Sequence, residues 1–418
     1  MYRSICALSS TDTDPPEPAP ATLEPGEVVD DGSLRGQVRA WLDPAPRTPH
    51  AGLALGRLIA REVRRVGRHL LPGALLAELD EVARLHHGRD AFLDAFLDAV
   101  LARHRDGFRN QTYLALPLLD RITADPAAGL DPEGLSALLM ADLIAHEELH
   151  AADPRARTRR VRHAERFVTE VHRASATDTG MPHPESLAGA WLALTALPVS
   201  TVHDEYFFIR CLQAHEQVFT TLTEHLLAAT AAVRAGAVDD ATRAVEHAVT
   251  VFERAALLFR IVATMDPDAF HAFRQFTDGA SAIQSEAYKR FELACGRPGA
   301  ERLHSEAFTH VPAVRAGAGG QDDLTAALRD HRRREGVPGH ARLRLERAIA
   351  RLESDHQRWK TTHHSLARRM LGEAPGSGHT AGVPYLRACL DNRLFTAAGA
   401  GGHRGTSRPT TPRPIHSP

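Results

Sequence analysis

The stretch HDEYFFIRCLQAHE occupies residues 203–216 of a chain of 418 residues. Apolar residues recur in and after it at helical spacing, and the pattern ends at a glycine. This predicts one long helix that begins at about Asp204 and ends at Gly236. Nearly every other periodic segment also has the helical period, and no strand-like alternation is longer than a few residues. The predicted fold class is therefore all-α, a multi-helix bundle.

The second half of the chain carries the sharpest helix boundary signals. Asp266-Pro267-Asp268 predicts the start of a short helix, because aspartate caps helix N-termini and proline suits the first helical position. We expect that helix to break at Asp278-Gly279. Two more helices are predicted, one capped by Asp239 or Asp240 that runs to Met265 and one from near Ser281 to Gly296. A glycine-rich connection over 299–321 follows. The last long helix is predicted over about 340–371 and ends at Gly372.

Composition divides the chain into four regions. Residues 1–33 are rich in proline, acidic and small residues without a hydrophobic period, which predicts a disordered leader. Residues 34–180 are predicted to form an N-terminal helical region, and residues 181–396 a second helical domain. Residues 397–418 are predicted to be a disordered tail.

The overall composition excludes several classes of protein. Fifty Lys and Arg residues against 52 Asp and Glu residues give a formal charge of −2. This balance argues against a basic surface that binds nucleic acid and against a polybasic surface that binds membranes. No apolar run is long enough to span a bilayer, and the N-terminus lacks a signal-peptide pattern. The four cysteines form no C-x-x-C pair, so a thiolate zinc site is not expected. These features predict a cytoplasmic protein that binds neither nucleic acid nor membranes.

Two further blocks follow the opening stretch in order. The second reads FHAFR at 270–274 and GASAIQS at 279–285; the third reads WKTTH at 359–363, RMLG at 369–372, GSG at 376–378 and YLR at 385–387. Together the three blocks resemble the tryptophan 2,3-dioxygenase family, in order and in approximate spacing. The resemblance covers about residues 187–395, half of the chain. It implies the all-helical fold of tryptophan and indoleamine dioxygenases, with residues 34–180 as an additional helical region.

The resemblance implies haem b as cofactor. His363 falls on the family's axial ligand of the haem iron, and a neutral imidazole suits that role because it leaves the opposite face open to O2. Ser281 falls on a small polar residue beside haem and substrate. The family also implies a homo-oligomer.

The implied substrates are O2 and an aromatic amino acid. Arg274 falls on the arginine that holds the substrate carboxylate, for which a planar, always charged guanidinium is suited. Phe208 and Phe270 fall on the aromatic walls of the ring pocket. Ser377 stands where the family has a threonine near the substrate's ammonium and carboxylate groups. The implied reaction inserts both oxygen atoms and cleaves the indole C2–C3 bond of L-tryptophan to give N-formylkynurenine, a step of tryptophan catabolism.

The chain departs from the family pattern at Leu212. Leucine stands where the family has a histidine that accepts the indole N–H, and a buried N–H without a partner costs about 1–3 kcal/mol. Indoleamine dioxygenases lack a histidine there too, so haem oxygenase chemistry remains open. His215, three residues later and near the same helical face, is a candidate replacement. The departure keeps open a haem-dependent monooxygenase that hydroxylates an aromatic amino acid in a biosynthetic pathway. Lys289 also replaces the usual arginine, and we expect it to be structural, paired with Glu286 or Glu292.

Two alternatives do not involve haem. His146-Glu147-Glu148-Leu149-His150 matches the H-E-x-x-H pattern of zinc hydrolases, in which two imidazoles share one helical face and the glutamate activates a zinc-bound water. Glu170 lies at a plausible distance in sequence for a third ligand. The other alternative is a non-enzymatic helical interaction module that binds neither metal nor haem.

Overall fold

The fold is described from a computed structural model of the chain. It describes residues 34–150, 153–174, 187–277, 279–334, 339–378 and 380–395. The predicted leader, the predicted tail and the predicted boundary at 178–180 lie outside these ranges.

The all-α prediction is confirmed, since the described residues form helices joined by turns and loops, with no strand among them. The helices of the first half are α1 (Leu34–Ala40), α2 (Pro49–Val66), α3 (Gly73–His86), α4 (Ala91–Arg105), α5 (Asn110–Tyr113), α6 (Leu116–Ala124), α7 (Pro132–His150) and α8 (Pro154–Ala174). Those of the second half are α9 (Leu187–Leu192), α10 (His203–Arg234), α11 (Val238–Val262), α12 (Pro267–Arg274), α13 (Glu286–Cys295), α14 (Ala300–His304), α15 (Glu306–Thr309), α16 (Pro312–Gly317), α17 (Leu324–Arg334), α18 (Gly339–Leu371) and α19 (Val383–Cys389).

The long helix predicted from residues 203–216 is α10, and it lies at the centre of the bundle. Its N-terminus is fixed by the buried carboxylate of Glu205, which accepts hydrogen bonds from the backbone N–H groups of Val199 (2.7 Å) and Ser200 (2.9 Å). The helix ends at Arg234, and Gly236 follows with φ of 76°, a conformation that glycine adopts without steric cost. The predicted boundaries of α10 are therefore confirmed.

Helices from both halves of the chain pack around α10. It contacts α7 of the first half as well as α11, α13 and α17, while α8 packs on α7 and α11, and α18 packs on α11. One continuous cluster of buried apolar residues extends from Val38 to Leu394. The division at residue 180 stays a prediction. Within the described residues, no helix is both long enough and apolar enough to cross a bilayer.

Several predicted boundaries are wrong in detail. Asp239 and Asp240 do not cap α11 but lie in its first turn, where they still complement the helix dipole. The helix predicted from near Ser281 is α13, and it begins only at Glu286. The side chain of Ser285 accepts the backbone N–H of Tyr288 and so caps the helix. A short 3-10 turn, Ala282–Gln284, precedes it. The glycine-rich connection contains α14, α15 and α16, which pack an apolar cluster of their own.

The short helix α12 begins as predicted and ends early. Asp266 accepts the N–H of Asp268, and Pro267 occupies the first turn. The helix ends at Arg274 rather than at Asp278-Gly279. The last long helix, α18, ends at Leu371 beside Gly372, which has φ of 57°.

Candidate functional site: a cavity within the helical bundle

A cavity lies between α10, α12, α13, α18 and the loop over 376–382. Its empty volume is about 1860 Å³, including the part that opens to solvent. All the residues that the sequence singled out for the haem site line this cavity; they are Phe208, Leu212, His215, Phe270, Arg274, Ser281, His363 and Ser377. The structure thus brings together residues that are up to 169 positions apart in the sequence.

His363 is a half-buried side chain on α18. Its ring stacks with that of Phe259 at a centroid distance of 5.6 Å, and the ring of Trp359 lies 5.5 Å away. Burial, together with the nearby His364, lowers the pKa of His363 to about 4. The imidazole is therefore neutral at physiological pH, the form that coordinates a metal ion.

His215 presents a hydrogen-bond acceptor to the cavity. Its Nδ1 lies 2.9 Å from the carbonyl oxygen of Cys211, and because a carbonyl only accepts, Nδ1 carries the proton. Burial lowers the pKa of His215 to about 4, so the neutral ring leaves Nε2 with a free lone pair. Nε2 is buried and has no hydrogen-bond partner among the described residues. Leu212, one turn earlier on α10, offers only apolar surface.

A buried donor in the same cavity also lacks a partner. The indole Nε1 of Trp359 forms no hydrogen bond within the described part of the chain. Buried polar groups are normally paired, and each one left unpaired costs about 1–3 kcal/mol. A polar bound molecule would supply the missing partners.

Arg274 is a cation without a carboxylate partner among the described residues. It lies at the C-terminal end of α12, and its Nη2 donates a hydrogen bond to the carbonyl oxygen of Pro375. Burial lowers the pKa of Arg274, but a guanidinium remains charged at physiological pH. The remaining N–H groups are suited to an anionic ligand group.

Aromatic rings form one wall of the cavity. The Phe208 and Phe270 rings meet edge to face at a centroid distance of 5.8 Å, and Phe208 also lies 5.4 Å from Phe273. Phe273 is fully buried in the core, so it holds the other two rings in place. Such a wall suits a planar apolar ligand.

The glycine loop, residues 376–378 and 380–382, packs against Ser281. The N–H of Gly376 donates to the carbonyl oxygen of Thr380 at 3.0 Å, which folds the loop back on itself. A Cβ at Gly378 would lie 2.7 Å from Cβ of Ser281 and 2.9 Å from Cγ2 of Ile283. Only glycine allows this approach, and it brings Ser377 to the cavity.

A basic end of the cavity was not foreseen from the sequence. Lys289, Arg302 and Lys360 all line it. Lys289 and Arg302 share the carboxylate of Glu292, at 2.7 and 2.9 Å. The charges of these two cations outweigh burial and lower the pKa of Glu292 to about 2. The expected pairing of Lys289 with Glu292 is confirmed, whereas Glu286 pairs with Arg290 instead.

Lys360 has no carboxylate within bonding distance among the described residues. Its ammonium donates to backbone carbonyl oxygens at the C-terminal end of α19, at 2.9 Å for Cys389 and 3.2 Å for Leu390. Burial lowers the pKa of Lys360 to about 8. The cations Lys289, Arg302 and Lys360 therefore lie near two carboxylates, Glu292 and Glu353, and the net positive charge suits an anionic ligand.

The first half of the chain also contributes to the cavity. Asn110 and Tyr113, on the short helix α5, line it. The Nδ2 of Asn110 donates to Glu216 at 3.1 Å, and the hydroxyl of Ser285 donates to the other oxygen of Glu216 at 3.0 Å. Burial raises the pKa of Glu216 to about 7. A helix of four residues is too short to show a helical period, so this contribution could not be predicted from the sequence.

The structure contradicts the zinc-hydrolase alternative at His146, Glu147 and His150. Glu147 points into the core, where Arg160 binds both of its oxygens at 3.2–3.3 Å, so it is not available to activate a zinc-bound water. Glu170 is paired with Arg166 at 2.6 Å. In the described ranges these residues do not belong to any group with three ligand atoms close enough for a metal ion.

Part of the chain is similar to known proteins. Residues 178–313 match the family model described as tryptophan 2,3-dioxygenase. The chain is 27% identical to a tryptophan 2,3-dioxygenase of Anaeromyxobacter sp. (strain K) over 50% of this chain and 91% of that protein. It is 26% identical to the tryptophan 2,3-dioxygenase of Polaromonas sp. (strain JS666 / ATCC BAA-500) over 50% of this chain and 84% of that protein. It is 27% identical to the tryptophan 2,3-dioxygenase of Burkholderia pseudomallei (strain 668) over 47% of this chain and 76% of that protein. The resemblance stated from the sequence blocks is confirmed.

Proposed function

Since this chain is related to the tryptophan 2,3-dioxygenases through residues 178–313, we propose that it is a haem-dependent oxygenase that acts on L-tryptophan or a related aromatic amino acid. The observation that carries the proposal is the pairing, in one cavity, of a neutral half-buried His363 with an Arg274 that has no carboxylate partner among the described residues. The first suits an iron ligand and the second suits the carboxylate of an amino acid.

The residues of the cavity fit a haem group. His363 would hold the haem iron, and the N–H of Trp359 and the cations Lys289, Arg302 and Lys360 would bind the anionic groups of the haem. Haem carries two propionates, whose negative charges would be attracted to this end of the cavity. When bound, haem supplies the iron at which O2 reacts, and the protein supplies binding, orientation and a dry pocket.

The opposite part of the cavity suits an aromatic amino acid. Arg274 would bind its carboxylate in a bidentate arrangement, and Ser377 in the glycine loop would contact its ammonium group or carboxylate. Phe208 and Phe270 would hold the aromatic ring. A hydrogen bond to Pro375 holds the guanidinium and packing on Phe273 holds the aromatic wall, so together they would orient the ring before reaction.

His215 bears on the choice between substrates. A tryptophan ring bound along the aromatic wall needs an acceptor for its indole N–H, and the free Nε2 of His215 can accept it. This supports cleavage of the indole C2–C3 bond to N-formylkynurenine as the first candidate reaction. Leu212 keeps a second candidate, hydroxylation of an aromatic amino acid, because the residue that the family uses for this bond is absent.

Product mass separates the two candidates. The haem-loaded protein would be incubated with an electron donor, L-tryptophan or L-tyrosine, and O2 labelled with ¹⁸O. A product with two labelled oxygens supports dioxygenation, and one with a single labelled oxygen supports hydroxylation. The absence of an oxygenated product from every aromatic amino acid tested would contradict the proposal. By the same resemblance we propose a homo-oligomer, which light scattering on the purified protein would check.

A further inference from the structure

Three metal-ligating side chains from three helices meet at a point that the proposed reaction does not use. Glu133 lies in the first turn of α7, His225 on α10 and His247 on α11. One ligand atom of each lies within 4.8 Å of the others. Among the described residues, this is the one group of three or more such side chains that is close enough to hold a metal ion.

The cluster is separate from the cavity. His225 follows His215 by ten residues on α10, which corresponds to about 15 Å along the helix. None of the three side chains lines the cavity. All three are half-buried, so a metal ion can reach the site from solvent.

The donor set suits a divalent transition metal ion. Imidazole nitrogens and carboxylate oxygens are ligands that zinc takes in proteins, and they also bind cobalt and nickel. Each imidazole offers one ring nitrogen and Glu133 offers one carboxylate oxygen to the site.

The carboxylate of Glu133 is already oriented. Its Oε1 accepts a hydrogen bond from the buried guanidinium of Arg254, and its Oε2 lies 3.4 Å from Nε2 of His247. Fixing one oxygen leaves the other directed toward the two imidazoles, as outer hydrogen bonds commonly do for metal ligands. Arg254 also places a positive charge near the site, and the carboxylate of Asp131 near His225 offsets part of it.

A hydrogen bond between His247 and Glu133 does not by itself explain His225. Its ring lies 4.2 Å from the ring of His247, and its ligand atom lies within 4.8 Å of those of both other residues. A metal ion bound by all three residues would account for this convergence.

We propose that Glu133, His225 and His247 bind one divalent transition metal ion, zinc by the chemistry of the ligands, and that this ion links α7 to α10 and α11. Since α7 precedes the segment that matches the family model, the ion joins the first half of the chain to the helices that build the cavity. Its role is structural, and it does not take part in the oxygenation.

The test uses the full-length protein as isolated, treated with a chelator and then dialysed. Zn²⁺ binding is measured by calorimetry, and Co²⁺ binding by the visible d–d bands of the ion. We expect one stoichiometric site in the wild type and an affinity at least about 100-fold lower in His225→Ala and His247→Ala. The matched control is His172→Ala, an exposed histidine on α8, which should bind as the wild type does.

Two further readouts keep the test decisive. The thermal midpoint of the wild type should rise with Zn²⁺, because an ion that binds only the folded state stabilises it. Glu133→Gln retains the shape of the side chain and should lower Zn²⁺ affinity even if a histidine variant folds poorly. No stoichiometric uptake by the wild type, or equal affinity in Glu133→Gln and both folded histidine variants, would overturn the proposal.

Discussion

Leu212 and His215 are one turn apart on α10, and only His215 offers the cavity a polar atom. If Nε2 of His215 accepts the indole N–H, His215→Leu should raise the KM for L-tryptophan about 10- to 100-fold, the cost of leaving a buried N–H unpaired. The KM for 1-methyl-tryptophan, which has no indole N–H, should change little. Steady-state kinetics with both substrates measure the difference, and an equal loss for both would show that His215 is not the acceptor.

Arg274 is the predicted anchor of the substrate carboxylate. Arg274→Gln removes the charge but keeps a hydrogen-bond donor, and we expect the KM for the amino acid to rise about 10- to 100-fold, since hydrogen bonds to charged groups contribute about 1.5–3 kcal/mol. The absorption spectrum of the haem should not change. Arg243→Gln, an exposed arginine on α11, is the matched control. An unchanged KM would remove Arg274 from the binding site.

At the scale of elements, the glycine loop is the part whose geometry is most demanding. Gly378→Ala would place a Cβ 2.7 Å from Ser281, so the loop must move away and carry Ser377 with it. We expect a substantially higher KM with little change in the thermal midpoint. Gly319→Ala is the control, because nothing lies within 4 Å of its added Cβ. Wild-type kinetics for Gly378→Ala would contradict the role of the loop.

Glu216 lies buried where α5, α10 and the N-terminus of α13 meet, so the stability of the protein should vary with its ionisation. Its pKa of about 7 in the folded state lies above the ordinary value, so the folded state binds an extra proton. The stabilisation of the folded state by this extra proton is fully present below about pH 4.5 and is lost as the pH rises through 7. Between pH 5 and 8 the wild type should lose roughly 2 kcal/mol of unfolding free energy relative to Glu216→Gln. Urea denaturation at several pH values measures this, and parallel curves for the two proteins would contradict it.

The elements show which features a sequence can predict. Long amphipathic helices such as α10 and α18 were predicted almost to the residue, because period and glycine stops are local signals. Helix starts were less accurate: Ser285, not Ser281, caps α13, since several polar residues compete for that role. The three short helices over 300–317 were missed because four to six residues are too few to establish a period.

For the whole molecule, the resemblance located the aromatic, arginine and histidine residues of the second half that line the cavity, but neither its basic end nor the residues from the first half. Asn110 and Tyr113 reach it because the buried Arg68 ties this part of the chain together, donating to the carbonyl oxygens of Ala99 (2.9 Å) and Tyr113 (2.9 Å). Gly67 lets residues 198–200 pack directly on the same turn. Contacts between residues so distant in sequence follow from tertiary packing and leave no periodic signal.

The central claim is that His363 holds a haem iron in this cavity, and an absorption spectrum tests it most directly. Wild type and His363→Ala are expressed with haem supplementation and compared with and without L-tryptophan, with His364→Ala as the neighbouring control. We predict that the wild type and the His364→Ala control both show a Soret band and that L-tryptophan perturbs it. In His363→Ala the Soret band should be lost or strongly shifted. A wild type without haem, or a Soret band that is the same in His363→Ala, would contradict the account.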